Sequence, residues 1–579
     1  MVDGGVLDSR TMPKVVFGSA ESPLAGWRLL VDKFVETRAA RRLDEVLPLL
    51  EFAEAQALRG AYVAVMISYE ASPAFDAALS AHAPGEFPLA WAGVFTESST
   101  SETQAGGDFI AGAWTPRVNK SGYEAAVDRI RELIAAGDTY QVNYSFPLTS
   151  SFSGAAYAWY RELCLAQGAR YCAFLDLDRY QVLSLSPELF FERRGDRVIT
   201  RPMKGTMPRG RWTEEDEEFA QRLRHSSKDK AENIMIVDLL RNDLGKVSVP
   251  GSVQVSSLFA AERYETVWQM TSTVESMLRP GTSLVELMSA LFPCGSVTGA
   301  PKIRTMQIIR ELERFPRGVY TGAIGLLHPG GDCIFNVAIR TVVIDKQTGV
   351  ATCGVGGGVT IDSTAAGEYE ECLVKSRFLE AKPVEFELFE TMLVEDGEVF
   401  LLERHLERLK KSAAYFGFKD FDLKIPVKTG KLKVTLSKDG RVKFVTSPNT
   451  DKKDLLRVTL ATKPINSSDR FLFHKTTRRD FYSDDVIMWN ERGEITEAGI
   501  ANVVVRIDGG LFTPPVSCGL LPGTFRAHLL DRGEIKERVI TIAELKNASE
   551  IYLINSVRKW MKAELVVEQD LRTSAPKLL

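Results

Sequence analysis

The sequence predicts a mixed α and β protein made of two unrelated α+β parts, residues 1–381 and 386–579, joined by a short linker at 382–385. Three observations carry that reading. The chain has 579 residues, 45% of them apolar and 26% charged, which is enough for more than one buried core. Helix-period stripes with start and stop signals alternate with glycine-punctuated apolar runs. The texture then changes at Lys382-Pro-Val-Glu385, a polar hinge containing a proline.

Taken in order, Tyr62–Ile67 reads as a buried strand. A helix follows over 123–136: Ser121 and Glu124 form a capping-box pattern, Gly137 is a stop, and Tyr123, Val127, Ile130 and Ile134 share one face. Short strands are expected at Tyr171–Leu175, Gln181–Ser184 and Val198–Thr200. A helix is expected over Lys228–Leu240 and another from Pro301. Strands are then read at Val319–Leu327, Ile334–Ile344 and Ala351–Thr360, and a last helix at 366–381. Beyond the hinge, Phe386–Val394 with the turn Asp396-Gly397 reads as strand–turn–strand. The next helix, over 403–416, shows Leu402, Leu406, Leu409, Ala413 and Phe416 on one stripe and is stopped by Gly417. The lysine- and aspartate-rich stretch from Lys419 to Lys453 reads as a loop or exposed hairpin. No internal repeat is visible.

The 72 basic and 76 acidic residues leave a formal charge of −4, so no general positive field exists for nucleic acid or an anionic membrane. The seven cysteines are scattered without a CxxC pair, arguing against a disulfide framework or zinc cluster and for a reducing cytoplasm. The acidic residues Asp3, Asp8 and Glu21 do not make a signal peptide, and no apolar run reaches the ~20 residues that a membrane span needs. A cytoplasmic protein is expected.

Two acidic pairs stand out. Asp229 and Glu232 share one helical face in Lys228–Asn233, and Glu368 and Glu371 repeat that spacing. Such pairs suit a hard, partly hydrated cation such as Mg²⁺, or form solvated acidic faces. Pro293–Lys302 is a small-residue loop entering a helix, where backbone N–H groups attract anions, although its spacing is not that of a P-loop. Gly354-Val-Gly-Gly-Gly358 is a weak signal that suggests close backbone approach to a flat ligand.

These segments, in order, resemble the chorismate-utilising enzyme family over roughly residues 60–380. The runs that match are Ser186-Pro-Glu188, Arg201–Thr206, Lys228–Gly245, Gly295–Lys302, Phe335–Thr341 and Gly367–Lys375. The resemblance implies layered antiparallel sheets with flanking helices. Lys204 in place of the alanine of anthranilate-forming relatives, with Gln141 in place of the lysine of isochorismate-forming ones, resembles the branch that aminates chorismate at C4. It implies Mg²⁺ held by Glu232 and Glu371, with Asp229 and Glu368 as outer helpers. Glu188 would be the general acid and Lys204 a covalent nucleophile. Tyr320 and Arg340 would bind a carboxylate, with Ser296, Gly299, Gln141, Gly356, Gly357 and Lys375 lining the ligand. Relatives often carry a histidine within Val267–Met270, where this chain has Trp268 and Gln269. No GxCxGxQ-type glutaminase elbow is present, so ammonia is expected from a separate glutamine amidotransferase subunit or from free ammonium.

The second part contains Leu388–Met392, His405–Arg408, Phe473–Thr477, Ile495–Asn502, Leu521–Thr524 and Ile554–Val557, and is similar to fold-type-IV pyridoxal-phosphate enzymes, a two-subdomain α+β fold. The resemblance implies that Lys475 carries pyridoxal 5'-phosphate as a Schiff base. Glu497 would pair with the pyridine nitrogen, while Arg408, the backbone at Thr524 and Phe525, and Ser556 hold the phosphate. The strands usual before Leu388 are missing. Fused to a C4-aminating half, the domain resembles the lyase that expels pyruvate from aminodeoxychorismate. The expected function is therefore 4-aminobenzoate synthesis for folate from chorismate and ammonia, with a homodimer through the second domain as the expected assembly. The alternatives are an inactive or aminotransferase second half, and a non-catalytic chorismate-binding scaffold.

Overall fold

The computed structural model describes residues 14–18, 29–99, 106–425, 428–449, 455–479 and 483–566. The chain divides into two compact units. One holds the described residues up to Pro208 together with Ala220–Val384; the other holds Arg209–Phe219 and the described residues from Glu385 onward.

Among the described residues of the first unit, nineteen strands join in one antiparallel hydrogen-bonded system. One arm runs from Gln141–Gly154 through Val350–Val359, Thr341–Asp345 and Tyr180–Ser186 to Tyr171–Leu177. The other contains Leu29–Ala40, Ala90–Ser99, Tyr62–Ile67, Ala323–Leu327, Cys333–Val337 and Leu189–Arg194. Tyr62–Ile67 shows why both faces are covered. Ala64 and Met66 pack with Ala173, Leu175 and Val182 of the opposite arm, whereas Val63, Val65 and Ile67 pack outward with Leu50, Ala53 and Leu287 of two helices. The outer face of the first arm is covered by the helices Lys120–Ala135, Ala156–Gln167, Lys302–Leu312 and Ala365–Ser376. The result is a helix–sheet–sheet–helix stack, matching the layered arrangement expected from the sequence.

Several local readings shift. The helix expected at 123 begins at Lys120, because Asn119 is its N-cap and accepts from Gly122 N at 2.9 Å; Ser121 lies inside the first turn. Pro301 is the N-cap residue of Lys302–Leu312 rather than its first helical residue. The acidic helix spans Ser227–Gly245, longer than expected. The run read as one strand over Ile334–Ile344 is two, Cys333–Val337 and Thr341–Asp345, broken where Arg340 takes φ +48°. Val319 lies outside the Ala323–Leu327 strand, and the last helix is Ala365–Ser376 with a 3₁₀ turn at Arg377–Glu380.

In the second unit, a four-stranded antiparallel sheet (Glu398–Val399, Leu388–Glu395, Gly430–Leu436, Val442–Ser447) carries the amphipathic helix Leu402–Phe416. Lys419–Lys453 is thus partly a hairpin, turning at Asp439-Gly440; residues 426–427 and 450–453 lie outside the described residues. Six further strands close on themselves. Ala501–Ile507 leads through Glu550–Asn555, Lys559–Leu565, Leu456–Leu460 and Val486–Trp489 to Ile495–Ala498, which pairs back to Ala501 and Asn502.

Two candidate active sites

In the first unit, Lys204 stands on the strand Met203–Pro208, and the glycine run lies on Val350–Val359. A methyl group added to Gly358 would lie 2.2 Å from Gln141 Nε2 and 2.7 Å from Lys204 Nζ, so the glycine leaves the space that both side chains enter. Gln141 is 1% exposed, and neither of its amide atoms has a hydrogen-bond partner among the described residues. Leaving such an amide unsatisfied costs about 1–3 kcal/mol, a cost that a bound polar ligand or water would remove.

Glu188 completes the cluster. It is buried and accepts from Ser296 Oγ at 2.6 Å. Burial pushes its carboxyl up to about 7, against the Ser296 bond and the Lys204 charge. Lys204 is shifted the other way: burial lowers its pKa although the carboxylates of Glu232, Glu188 and Glu371 oppose this. A proton donor and a primary amine that loses its proton more readily than usual therefore lie close enough to act on each other's charge.

The acidic helices also meet here. Burial raises the pKa of Glu232, with the charges of Asp229 and Glu371 adding to it, and burial raises Glu368, which accepts from Ser363 Oγ at 2.6 Å. Burial opposes ionisation of Glu371, but its 2.8 Å ion pair with Lys375 wins and lowers its pKa. Lys375 also donates to the Gly356 carbonyl at 3.0 Å. Asp229 packs beneath Gly205, where φ is +98° and an added Cβ would lie 2.9 Å from Asp229 Cβ. Among the described residues, no three acidic, histidine or cysteine side chains gather as a ready-made metal cage. Glu371 is paired with Lys375 and Glu368 with Ser363, and the charges of Asp229 and Glu371 both act on Glu232.

Arg340 is held in the left-handed region, donates to Gln167 Oε1 at 3.3 Å and has no carboxylate ion partner among the described residues; burial lowers its pKa. A half-buried guanidinium without an acid partner among the described residues is suited to an anionic ligand. Tyr320 is buried against the glycine run: a Cβ on Gly354 would touch its ring at 2.3 Å. The flat-ligand reading of that run is thus revised. Gly354 clears Tyr320, Gly356 the Tyr144 carbonyl, Gly357 the Glu368 carboxylate, and Gly358 Gln141 with Lys204. Gly299, at φ +143°, sits on the Gln141 carbonyl. Trp268 lies on the strand Val267–Met277, and its neighbour Gln269 accepts from Thr206 Oγ1 at 3.1 Å.

Sequence reasoning missed the support below this site. Arg317 donates to both oxygens of Glu313 (2.7 and 2.9 Å) and to the Asn143 carbonyl at 2.6 Å. Glu313 accepts from Ser145 N and Oγ, each at 2.8 Å. Asn143 and Ser145 follow Gln141 at alternate positions of one strand, so the buried pair fixes the strand that delivers Gln141.

In the second unit, burial is the main force that lowers the pKa of Lys475, to about 7; the charges of Arg479 and Arg408 lower it further, and Glu390 and Glu497 oppose them. Its Nζ lies 4.8 Å from the centre of the Phe389 ring. Glu497, on the strand Ile495–Ala498, accepts from Leu521 N at 3.2 Å and Asn502 Nδ2 at 3.4 Å. Arg408 makes a two-pronged bond to buried Glu390 (2.8 and 2.7 Å) and donates to the Pro522 carbonyl at 3.1 Å. His405 Nδ1 lies 2.7 Å from Glu390, and its Nε2 lies 3.3 Å from Thr524 Oγ1. Thr524 and Phe525 open the helix Thr524–Asp531, and Ser556 donates to the Thr391 carbonyl at 3.4 Å. Sequence reading gave Glu390 and His405 no role; their signal was the i, i+3 spacing of His405 and Arg408.

Comparison with known proteins places both units. Residues 98–381 match the family model of the chorismate binding enzyme, and residues 387–454 and 444–566 match amino-transferase class IV. The first part is thus similar to chorismate-binding enzymes and the second to class IV aminotransferases. Aminodeoxychorismate synthase component 1 of Bacillus subtilis is 42% identical over 266 residues, which cover 46% of this chain and 56% of that protein. Aminodeoxychorismate synthase of Streptomyces griseus is 45% identical over 262 residues, 45% of this chain and 36% of that one. Anthranilate synthase component 1 of Thermus thermophilus is 40% identical over 261 residues, 45% of this chain and 56% of that one. The chain thus spans between 36% and 56% of the length of these curated relatives. Anthranilate synthase component I from Streptococcus pneumoniae shares the fold, with a TM-score of 0.54 at 24% identity over 66% of this chain and 98% of that one. No helix among the described residues is long and apolar enough to cross a membrane.

Proposed function

We propose that the chain makes 4-aminobenzoate in two steps, aminating chorismate at C4 in residues 1–381 and eliminating pyruvate in residues 386–579. The observation that carries the first step is Lys204 Nζ entering the Gly358 space beside unsatisfied Gln141. Overall identity does not separate C4-aminating from anthranilate-forming relatives, since 42% and 40% are equivalent. Lys204, standing where the resemblance implies alanine in anthranilate-forming relatives, supports the C4-aminating reading.

Glu188, protonated up to about pH 7, gives its proton to the C4 hydroxyl, which leaves as water while Lys204 Nζ bonds to C2. Ammonia then bonds to C4, and the C2–N bond to Lys204 breaks, returning the amine. Arg340 takes one substrate carboxylate, and the Gln141 amide orients the reacting face. Glu232 and Glu371 would hold Mg²⁺, for which converging acids with raised or cation-compensated charge are suited. The ion would neutralise the second carboxylate. Ammonia comes from a separate amidotransferase subunit or from free ammonium.

In the second unit, a buried amine between two guanidiniums and two acids fits pyridoxal 5'-phosphate. Lys475 would carry it, Glu497 would face the ring nitrogen, and Arg408, Thr524, Phe525 and Ser556 would take the phosphate. The bound group supplies an electron sink. Lys475, once free, is the base that removes the C4 proton, and its low pKa keeps it unprotonated for that task.

Product analysis tests the proposal. Chorismate, Mg²⁺, ammonium and pyridoxal phosphate added to the full chain yield 4-aminobenzoate and pyruvate in equal amounts. Accumulated aminodeoxychorismate would refute the second step, and anthranilate or isochorismate the first.

A further inference from the structure

Residues 209–219 follow directly on the strand that carries Lys204, yet they pack in the second unit. The segment is rigid in itself. Arg209 donates to both oxygens of Asp216 at 2.7 Å, with both side chains almost fully buried, and Gly210 N donates to Asp216 Oδ1 at 2.9 Å. Gly210 has no room for a side chain: a Cβ would lie 2.1 Å from Asp216 N.

This turn rests on the segment that presents Lys475. The Trp212 ring lies 5.0 Å from that of Phe473, and Arg211 donates to the Ser467 carbonyl at 3.2 Å. Tyr415 Oη donates to the Gly210 carbonyl at 2.6 Å, and the same ring packs on His474 at 4.4 Å between centres. Arg209 in turn donates to the Tyr415 carbonyl at 3.2 Å. His474 is buried, with Nδ1 3.0 Å from Ser412 Oγ, and its backbone is extended (φ −124°, ψ 141°). In extended chain, successive side chains point to opposite faces. His474 therefore faces the Tyr415 ring while Lys475 faces Phe389 and the candidate cofactor site.

We propose that residues 209–219 are a positioning strap: by clamping Phe473 and His474 from behind, they set the direction of Lys475 Nζ, so cofactor capture in the second unit depends on a segment that lies, in chain order, inside the first half. The inference rests on the reading of the second unit as a pyridoxal-phosphate site.

The test is pyridoxal-phosphate titration of the full chain, followed by the visible band of the lysine-bound cofactor and its pH midpoint. Trp212→Ala and Tyr415→Phe are expected to weaken binding about tenfold or more and to move the midpoint, with Trp212→Phe restoring both to within about twofold. Should Trp212→Ala fail to fold, Tyr415→Phe, which deletes one hydroxyl, decides alone. A wild-type band with unchanged affinity and midpoint in Tyr415→Phe overturns the strap and leaves the site reading intact. A wild-type chain that forms no band overturns that reading, and the strap with it.

Discussion

Ser296 donates a hydrogen bond to Glu188 Oε1 at 2.6 Å, where Glu188 is only 3% exposed. The bond favours the carboxylate and burial favours the acid; burial dominates and places the pKa at about 7. Glu188 can thus both give up a proton and regain it at neutral pH.

Glu188→Gln is expected to lower amination by about 10²–10⁴-fold. It also changes stability with a defined sign. The unfolded carboxyl titrates near 4.5 and the folded one near 7, so the wild type loses stability as pH rises from 4.5 to 7, by about 3 kcal/mol in all. The variant lacks that loss. Denaturant midpoints from pH 4 to 8 should show the variant gaining on wild type across that window and level above it.

Gly358→Ala places a methyl group 2.2 Å from Gln141 Nε2 and 2.7 Å from Lys204 Nζ. Both atoms end flexible side chains, so the fold should persist while both groups are displaced. Steady-state kinetics should show kcat reduced at least about tenfold, with little change in melting temperature.

Arg317→Met leaves Glu313 buried opposite an apolar side chain. Loss of one partner of a buried pair costs about 3–5 kcal/mol. Chemical denaturation should show that loss, and chorismate affinity should fall with it because the Gln141 strand is anchored by the pair.

Lys475 has its pKa lowered to about 7. The fraction of neutral amine therefore rises through pH 7, and the rate of pyridoxal-phosphate capture should be half-maximal there rather than near 10.5. Stopped-flow absorbance checks this, and Lys475→Ala should abolish the visible band.

Much of this arrangement was legible in the sequence wherever a local signal existed. The Asp229/Glu232 and Glu368/Glu371 spacings, the Pro293–Lys302 loop and the stripe on 402–416 each fold as helix faces or loops near where they were read. What stayed hidden depends on contacts remote in sequence. Arg340 looked like part of a continuous strand because nothing nearby announces a positive φ at a non-glycine residue. Glu390 lies on a strand and finds His405 and Arg408 only once the sheet meets the helix. No local signal in residues 209–219 announces their place in the second unit, which follows from Trp212 and Tyr415, which no periodicity links.

The central claim is that the Lys204 amine bonds covalently to the substrate ring. Lys204→Ala should lose C4 amination, but the more direct measurement is peptide mass spectrometry of the wild-type chain quenched after mixing with chorismate and Mg²⁺ without ammonium. Residue 204 is expected to carry the mass of chorismate less water. An unmodified Lys204, in a chain that aminates chorismate normally once ammonium is added, would contradict it.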